Sequence, residues 1–174
     1  TRNVVGASVG MFTAAISNRV RRIVYCSSVA RYGANAVPFV ESMTPHPQDP
    51  YGIGKLAAED ILRNLCNVHG FEYAIAVPHN IIGPRQKYDD PYRNVASIMI
   101  NLMLQGRQPF IYGDGSQQRC FSFVRDVVPS LVRLAFDPDA AGEVFNVGPD
   151  EEFVSVLELA ERIARLLDFN LHPQ

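Results

Sequence analysis

Apolar positions along this chain switch repeatedly between helical spacing and short unbroken runs. Residues 3–17 carry Val4, Val5, Ala7, Ser8, Met11, Phe12, Ala15 and Ile16 on one broad helical face. Arg22-Ile-Val-Tyr-Cys26 follows, a run of β-branched and aromatic residues ending at Ser27-Ser28, which predicts a buried parallel strand. Residues 33–50 hold four prolines and little periodicity, so a long loop is expected, of the kind that serves function in compact domains. Between Tyr51 and Val68, the positions Leu56, Ala57, Asp60, Ile61, Asn64, Leu65 and Val68 recur at helical spacing, and Gly70 stops the helix.

The alternation continues to the end of the chain. Glu72–Val77 reads as a strand and Asn94–Gln105 as a helix terminated by Gly106. Pro109–Tyr112 reads as a short strand closed by the turn Gly113-Asp-Gly115, and Arg119–Val124 as another strand. Asp126 is expected to cap a helix reaching Phe136, with Pro129 tolerated in its first turn. Glu143–Val147 is a strand, and Ser155-Val-Leu-Glu158 is a capping box opening a last helix with Leu157, Ala160, Ile163, Ala164 and Leu167 inward. Strands alternating with helices imply βαβ units and a parallel sheet, so the expected fold class is α/β.

Composition narrows the partners. A net charge of −2 gives no reason to expect nucleic acid or an anionic membrane, and no apolar run approaches a bilayer span. Three cysteines, Cys26, Cys66 and Cys120, lack metal-ligand spacing, so a reduced, cytoplasmic protein without a metal is expected. The first residues have neither a signal peptide's apolar core nor an initiating Met, which suggests a chain that begins within a longer protein.

Tyr51-Gly-Ile-Gly-Lys55 is the central chemical feature. Positions i and i+4 share a helix face, so phenol and ammonium can converge. A free tyrosine is a poor base at neutral pH. A cation about 4 Å away, at an effective dielectric near 20, is worth roughly 4 kcal/mol, or about three pKa units. Such a phenol can take and return a hydroxyl proton. The bland alternative is a solvated helix face, although seven tyrosines and two lysines make this spacing rare by chance. Ser27-Ser28 stands at the carboxyl end of an apolar strand, where ligands gather in open α/β sheets. There a serine hydroxyl can bind a substrate oxygen, or simply cap a turn.

Cys26-Ser-Ser-Val-Ala-Arg-Tyr-Gly33 followed by Pro50-Tyr-Gly-Ile-Gly-Lys55 resembles the active-site stretch of extended short-chain dehydrogenases/reductases, in the NAD-dependent epimerase/dehydratase group. The resemblance continues through Asn80-Ile-Ile-Gly-Pro-Arg-Gln86, Asp90-Pro91, Gly113-Asp-Gly-Ser-Gln-Gln-Arg119, Phe123-Val-Arg-Asp126 and Glu143-Val-Phe-Asn-Val-Gly148. It covers nearly all of this sequence and a little over half of a typical family member. It implies the C-terminal part of a Rossmann-type, doubly wound parallel sheet with a smaller α/β substrate-binding region. Residues 1–80 would be the second half of the NAD-binding domain and 81–174 mainly the substrate region, with a strand near 143–147 interleaving.

Site roles follow from the same resemblance. Ser28, Tyr51 and Lys55 match the catalytic set, Lys55 also binding the nicotinamide ribose. Asn3, Ser27 and His79 match cofactor positions, against plainer readings of Asn3 as a helix cap and His79 as a packed core residue. Asn80, Asn94, Tyr112 and Arg119 match positions that hold a nucleotide-diphosphate sugar. Arginine's planar fork suits a phosphate, though Arg119 can equally be a surface strand residue and Tyr112 a core one. The family's usual homodimer interface would lie on the helix bearing Tyr51, where Leu62, Leu65 and Cys66 are compatible but equally explained by core burial.

Two departures matter. The glycine-rich phosphate loop is not in these residues, since Gly113-Asp-Gly115 neither has a third glycine nor opens a helix. Dehydratases and decarboxylases of the group carry an acid two positions before the Tyr-Gly of the serine segment, and here that position is Ala30. Epimerases of the group often carry Ser or Thr there, so Ala30 departs from their pattern too, and the reaction that the resemblance as a whole implies is NAD-dependent C4 epimerisation of a UDP-hexose or UDP-N-acetylhexosamine. The alternatives are a reductase, dehydrogenase or dehydratase of a nucleotide sugar, and a non-catalytic binding protein.

Overall fold

In the computed structural model, which describes residues 2–89, 94–149 and 153–172, with side chains from Val4 onward, a π-helical turn at Arg2–Gly6 leads into α1 (Ala7–Ser17). The chain then forms β1 (Arg22–Cys26), a 3-10 turn (Val29–Arg31), α2 (Pro50–His69), β2 (Glu72–Pro78) and β3 (Ile81–Ile82). Next come α3 (Val95–Leu104), β4 (Gln118–Cys120), β5 (Ser122–Phe123) and α4 (Val124–Phe136). β6 (Val144–Val147), β7 (Phe153–Ser155) and α5 (Val156–Leu166) complete the order. The chain divides into two units, one of residues 1–79 and 126–147, the other of residues 80–125 and 148–174.

The first unit is built on a parallel sheet in the order β1-β2-β6, as the α/β expectation required. Arg22 lies opposite Glu72, Cys26 opposite Ala76 and Pro78 opposite Val147. Residues 74–77 of the central strand are fully buried, the continuous apolar run of a strand covered on both faces. Phe12 of α1 and Ala58, Leu62 and Cys66 of α2 join Tyr25, Ile75 and Val77 in its core. Leu62 and Cys66 are thus core residues, not surface offered to a second copy.

Sequence signals set the ends of α2. The Asp49 carboxylate accepts from the N–H groups of Tyr51 and Gly52, Pro50 takes the first position, and Gly70 closes the helix in the left-handed region at φ 71°. Its inward face differs from the expected one. Gly52, Gly54, Ala58, Glu59, Leu62 and Cys66 are buried, whereas Asp60, Asn64 and Val68 are exposed. The helix docks through small residues and one hidden carboxylate, so a count of large apolar side chains misplaces the face.

In the second unit β3 pairs with β5 in parallel and β4 with β7 antiparallel. The core here joins Met99 and Met103 of α3 to Ala160, Ile163 and Ala164 of α5. The Ser155 hydroxyl accepts from the Glu158 N–H at 3.0 Å, the serine half of the expected capping box, while the Glu158 carboxylate accepts from Arg162. The strand expected over Arg119–Val124 is broken, because β4 and β5 pair with different strands and α4 already begins at Val124. Pro109–Tyr112 pairs with no strand among the described residues. No helix among the described residues is long and apolar enough to cross a membrane.

Candidate active site

β1 delivers two serines that do different things. Ser28 is half-buried, its backbone is extended, and its Oγ accepts from the Ala30 N–H at 3.3 Å, capping the 3-10 turn. That bond fixes the oxygen and leaves the hydroxyl proton free to donate. Ser27, expected at the cofactor, instead turns its side chain inward. It is 3% exposed, its hydroxyl donates to Glu59 and its N–H to the Ala76 carbonyl.

Tyr51 is the second residue of α2 and is 49% exposed. One turn on, the Lys55 Nζ lies 5.8 Å from the centre of the Tyr51 ring and 5.1 Å from that of Tyr25. The same Nζ donates to the Cys26 carbonyl at 2.7 Å. Lysine and tyrosine therefore share one face, and the lysine is tied to the strand end that precedes the serines. Burial lowers the Lys55 pKa below its ordinary value, opposed by the negative charge available at Cys26 and Glu59.

A glycine lets the helix come this close. A Cβ on Gly52 would lie 2.7 Å from the Ala30 carbonyl oxygen and 3.1 Å from the Pro47 Cβ. The preceding loop is tied down as well. His46 donates its N–H to the Arg31 carbonyl, while Asn146 of β6 donates Nδ2 to the Phe39 carbonyl and accepts from the Tyr32 hydroxyl at 2.8 Å. At the end of β2, His79 donates its N–H to the Val147 carbonyl. Burial pulls the His79 imidazole below its ordinary pKa, against weaker opposing effects of Asn146 and Glu41. The side chain of Asn3 lies outside the described residues.

The other expected positions fall in the second unit. Asn80 has φ 33°, and its Nδ2 donates to the Cys120 carbonyl at 2.9 Å, which brings it beside the strand carrying Arg119. Arg119 is exposed on β4 with Nη1 on the Gln118 carbonyl. Asn94 caps α3, its Oδ1 accepting from the Ala96 N–H at 3.0 Å. Tyr112 is 84% exposed, and its carbonyl accepts from Gln117. A largely apolar cleft of about 660 Å³ also opens in this unit, lined by Ile82, Tyr88, Ile100, Leu104 and Phe123 among others. None of the four expected ligand residues lines it.

The sequence reading missed Glu59 and Arg31, both buried beside the serine turn. Spacing offered one hint, since Glu59 follows Lys55 by one helical turn. Among the described residues no cluster of three His, Cys, Asp or Glu side chains could hold a metal.

A hydroxyl donor, a half-exposed phenol and a tethered ammonium suit a ribose diol and a reacting alcohol. They fit the nicotinamide-ribose end of a dinucleotide. A pyrophosphate would need a run of free backbone N–H groups at a helix start. The Gly113-Asp-Gly115 turn does not supply one, because Gly115 packs against Ile111 and Leu157 and the chain leads on into β4.

The model of the NAD dependent epimerase/dehydratase family matches residues 1–148. The chain is 40% identical over 168 residues to a UDP-glucose 4-epimerase of Mycolicibacterium smegmatis, covering 94% of this chain and 52% of that protein. It is 32% identical over 172 residues to a UDP-N-acetyl-alpha-D-glucosaminuronate decarboxylase of Bacillus cytotoxicus, covering 95% of this chain and 50% of that protein. Among solved structures, UDP-N-acetylglucosamine 4-epimerase of Methanobrevibacter ruminantium superimposes with a TM-score of 0.89 at 31% identity, over 99% of this chain and 55% of that one. The chain thus spans about half the length of the relatives it matches.

Proposed function

Because the chain belongs to the NAD-dependent epimerase/dehydratase family, we propose that its polypeptide inverts C4 of a UDP-hexose or UDP-N-acetylhexosamine through a transient 4-keto sugar. One observation carries the reading: Lys55 and Tyr51 share a helix face that is tied by Lys55 to the strand end bearing Ser28. NAD, when bound, supplies the reversible two-electron oxidation of the sugar carbon. Tyr51 takes the proton of the C4 hydroxyl and returns it after the sugar has turned over. Ser28 donates its free proton to the sugar oxygen and holds it near the phenol. Lys55 keeps a positive charge beside the phenol and binds the ribose.

The first unit thus carries the redox chemistry, with Asn3 and His79 at the cofactor. The second holds the nucleotide diphosphate through Arg119, Asn80 and Asn94, with Tyr112 at the base. Its exposed guanidinium and phenol are open to a ligand of that kind. Epimerisation is favoured over loss of water or CO2 because the turn from Ser28 to Tyr32 carries Val29, Ala30 and Arg31, with no carboxylate to assist either loss.

The test uses the full polypeptide carrying these residues, UDP-glucose and substoichiometric NAD. UDP-galactose should accumulate to a fixed ratio with no net NADH. NADH formed in proportion to sugar consumed would make the protein a dehydrogenase instead.

A further inference from the structure

One acidic side chain in the first unit lies wholly inside the protein. Glu59 is 0% exposed, on α2 one turn beyond Lys55. One carboxylate oxygen accepts from the Ser27 hydroxyl. The other faces Nη2 of Arg31 at 3.3 Å and Nη2 of Arg63 at 3.4 Å. Arg31 is itself 3% exposed, and its Nε and Nη1 have no hydrogen-bond partner among the described residues. A buried ion pair adds little to stability compared with apolar residues of the same volume, so packing alone does not account for this cluster. Its arrangement does. Ser27 belongs to the end of β1, Arg31 to the 3-10 turn and Glu59 to α2. Those three pieces carry Cys26 and Ser28, the Ala30 carbonyl, and Tyr51 with Lys55.

We infer that Glu59 is a positioning residue that holds the Ser28 turn against the Tyr51–Lys55 helix through Ser27 and Arg31. The inference rests on the catalytic reading of Ser28, Tyr51 and Lys55. Ser27 is the neighbour of Ser28 in the chain, so anchoring its hydroxyl restrains the capping oxygen beside it. Arg31 closes the same turn from its other end. The tie from Lys55 to the Cys26 carbonyl completes the restraint one residue before Ser27. The titratable groups around Lys55 are Tyr25 and Cys26 on β1 and Tyr51 and Glu59 on α2. Of these, Glu59 is the carboxylate, and its charge favours the ammonium form of Lys55.

Two variants test this. Glu59→Gln keeps the volume and removes the charge, whereas Ser27→Ala removes one hydroxyl and leaves both arginine pairs in place. The first readout needs no ligand. Lysine side chains are labelled with nitrogen-15, the Lys55 ammonium signal is identified by its loss in Lys55→Arg, and Lys87 serves as the internal control. In Glu59→Gln the Lys55 signal should titrate at lower pH than in the parent, with Lys87 unmoved. The second readout is turnover with NAD and UDP-glucose in the full polypeptide carrying these residues. Both variants should lose about tenfold or more in kcat, with KM changed less than about twofold, as misplacement of reacting groups does. A folded Ser27→Ala with parental kcat, or a folded Glu59→Gln with unchanged Lys55 titration, would overturn the inference. If Glu59→Gln does not fold, Ser27→Ala decides. A parent without turnover would overturn the epimerase reading instead, and the lysine titration would then decide the role of Glu59.

Discussion

Replacing Gly52 by alanine probes the fit between the catalytic helix and the serine turn. The added Cβ would meet the Ala30 oxygen at 2.7 Å, where real Cβ contacts essentially never fall below 3.0 Å and ordinary contact begins at 3.4 Å, so helix and turn must part by about 0.3–0.7 Å. The obstacle is a backbone carbonyl, which cannot rotate aside like a side chain. Alanine in place of glycine ordinarily favours a helix by about 0.8–1 kcal/mol. Overpacking costs about 1–3 kcal/mol, so the net effect is destabilising. Gly10 provides the control, because a Cβ there meets nothing within 4 Å in α1. Gly10→Ala should gain roughly 0.4–1 kcal/mol, raising Tm, while Gly52→Ala lowers it. Activity is more sensitive still, since a displacement near 1 Å costs about 100-fold in rate. Gly52→Ala should therefore lose several-fold to tens-fold in kcat, by the order of magnitude of that relation. Thermal unfolding and steady-state kinetics on both variants read the two signs. Equal stabilisation by both substitutions, or a Gly52→Ala enzyme with parental kcat, would refute the close approach of α2 at Gly52 to the turn at Ala30.

Three further outcomes follow from the geometry. Burial holds the His79 imidazole below its ordinary 6.5, so the unfolded chain binds a proton first as pH falls. Stability from this group is complete above 6.5 and lost as pH drops toward the folded value, and His79→Gln should flatten that slope in urea denaturation. Burial likewise pushes the Cys66 thiol from 9.0 up to about 11. Its contribution is full below 9.0 and lost as pH rises toward about 11, and a thiol reagent should label exposed Cys26 before Cys66 in the native protein. Ser155→Ala removes the cap of α5 and should cost about 1 kcal/mol, seen as a Tm lower by about 2–4 °C; an unchanged Tm would contradict the capping role.

The parts of the fold written in local chemistry were legible from the sequence. Gly70 closes α2, Ser155 caps α5, and the apolar run 22–26 is β1 as expected, whereas the Asp49 cap that opens α2 emerged only from the structure. Helical periodicity also put Tyr51 and Lys55 on one face without any knowledge of their neighbours. Features that depend on distant partners were not legible. Nothing near Glu59 in the sequence shows that Arg31 and Ser27 come to meet it, and a lone glutamate reads as solvated. β3 and β5 have two residues each, too few for alternation to show. The extended run 109–112 has strand-like composition but no pairing partner among the described residues. Ser27 and Ser28 are adjacent and chemically alike, and only packing separates the inward one from the half-exposed one.

The most direct measurement is the turnover number of Tyr51→Phe in the full polypeptide carrying these residues, with circular dichroism and UDP-sugar affinity recorded on the same sample. Removing one oxygen from a half-exposed ring leaves packing intact, so fold and affinity should match the parent. The kcat should fall by about 100- to 10,000-fold, as expected for loss of a general acid–base group. A phenylalanine variant that interconverts UDP-sugars at the parental rate would contradict the account at its centre.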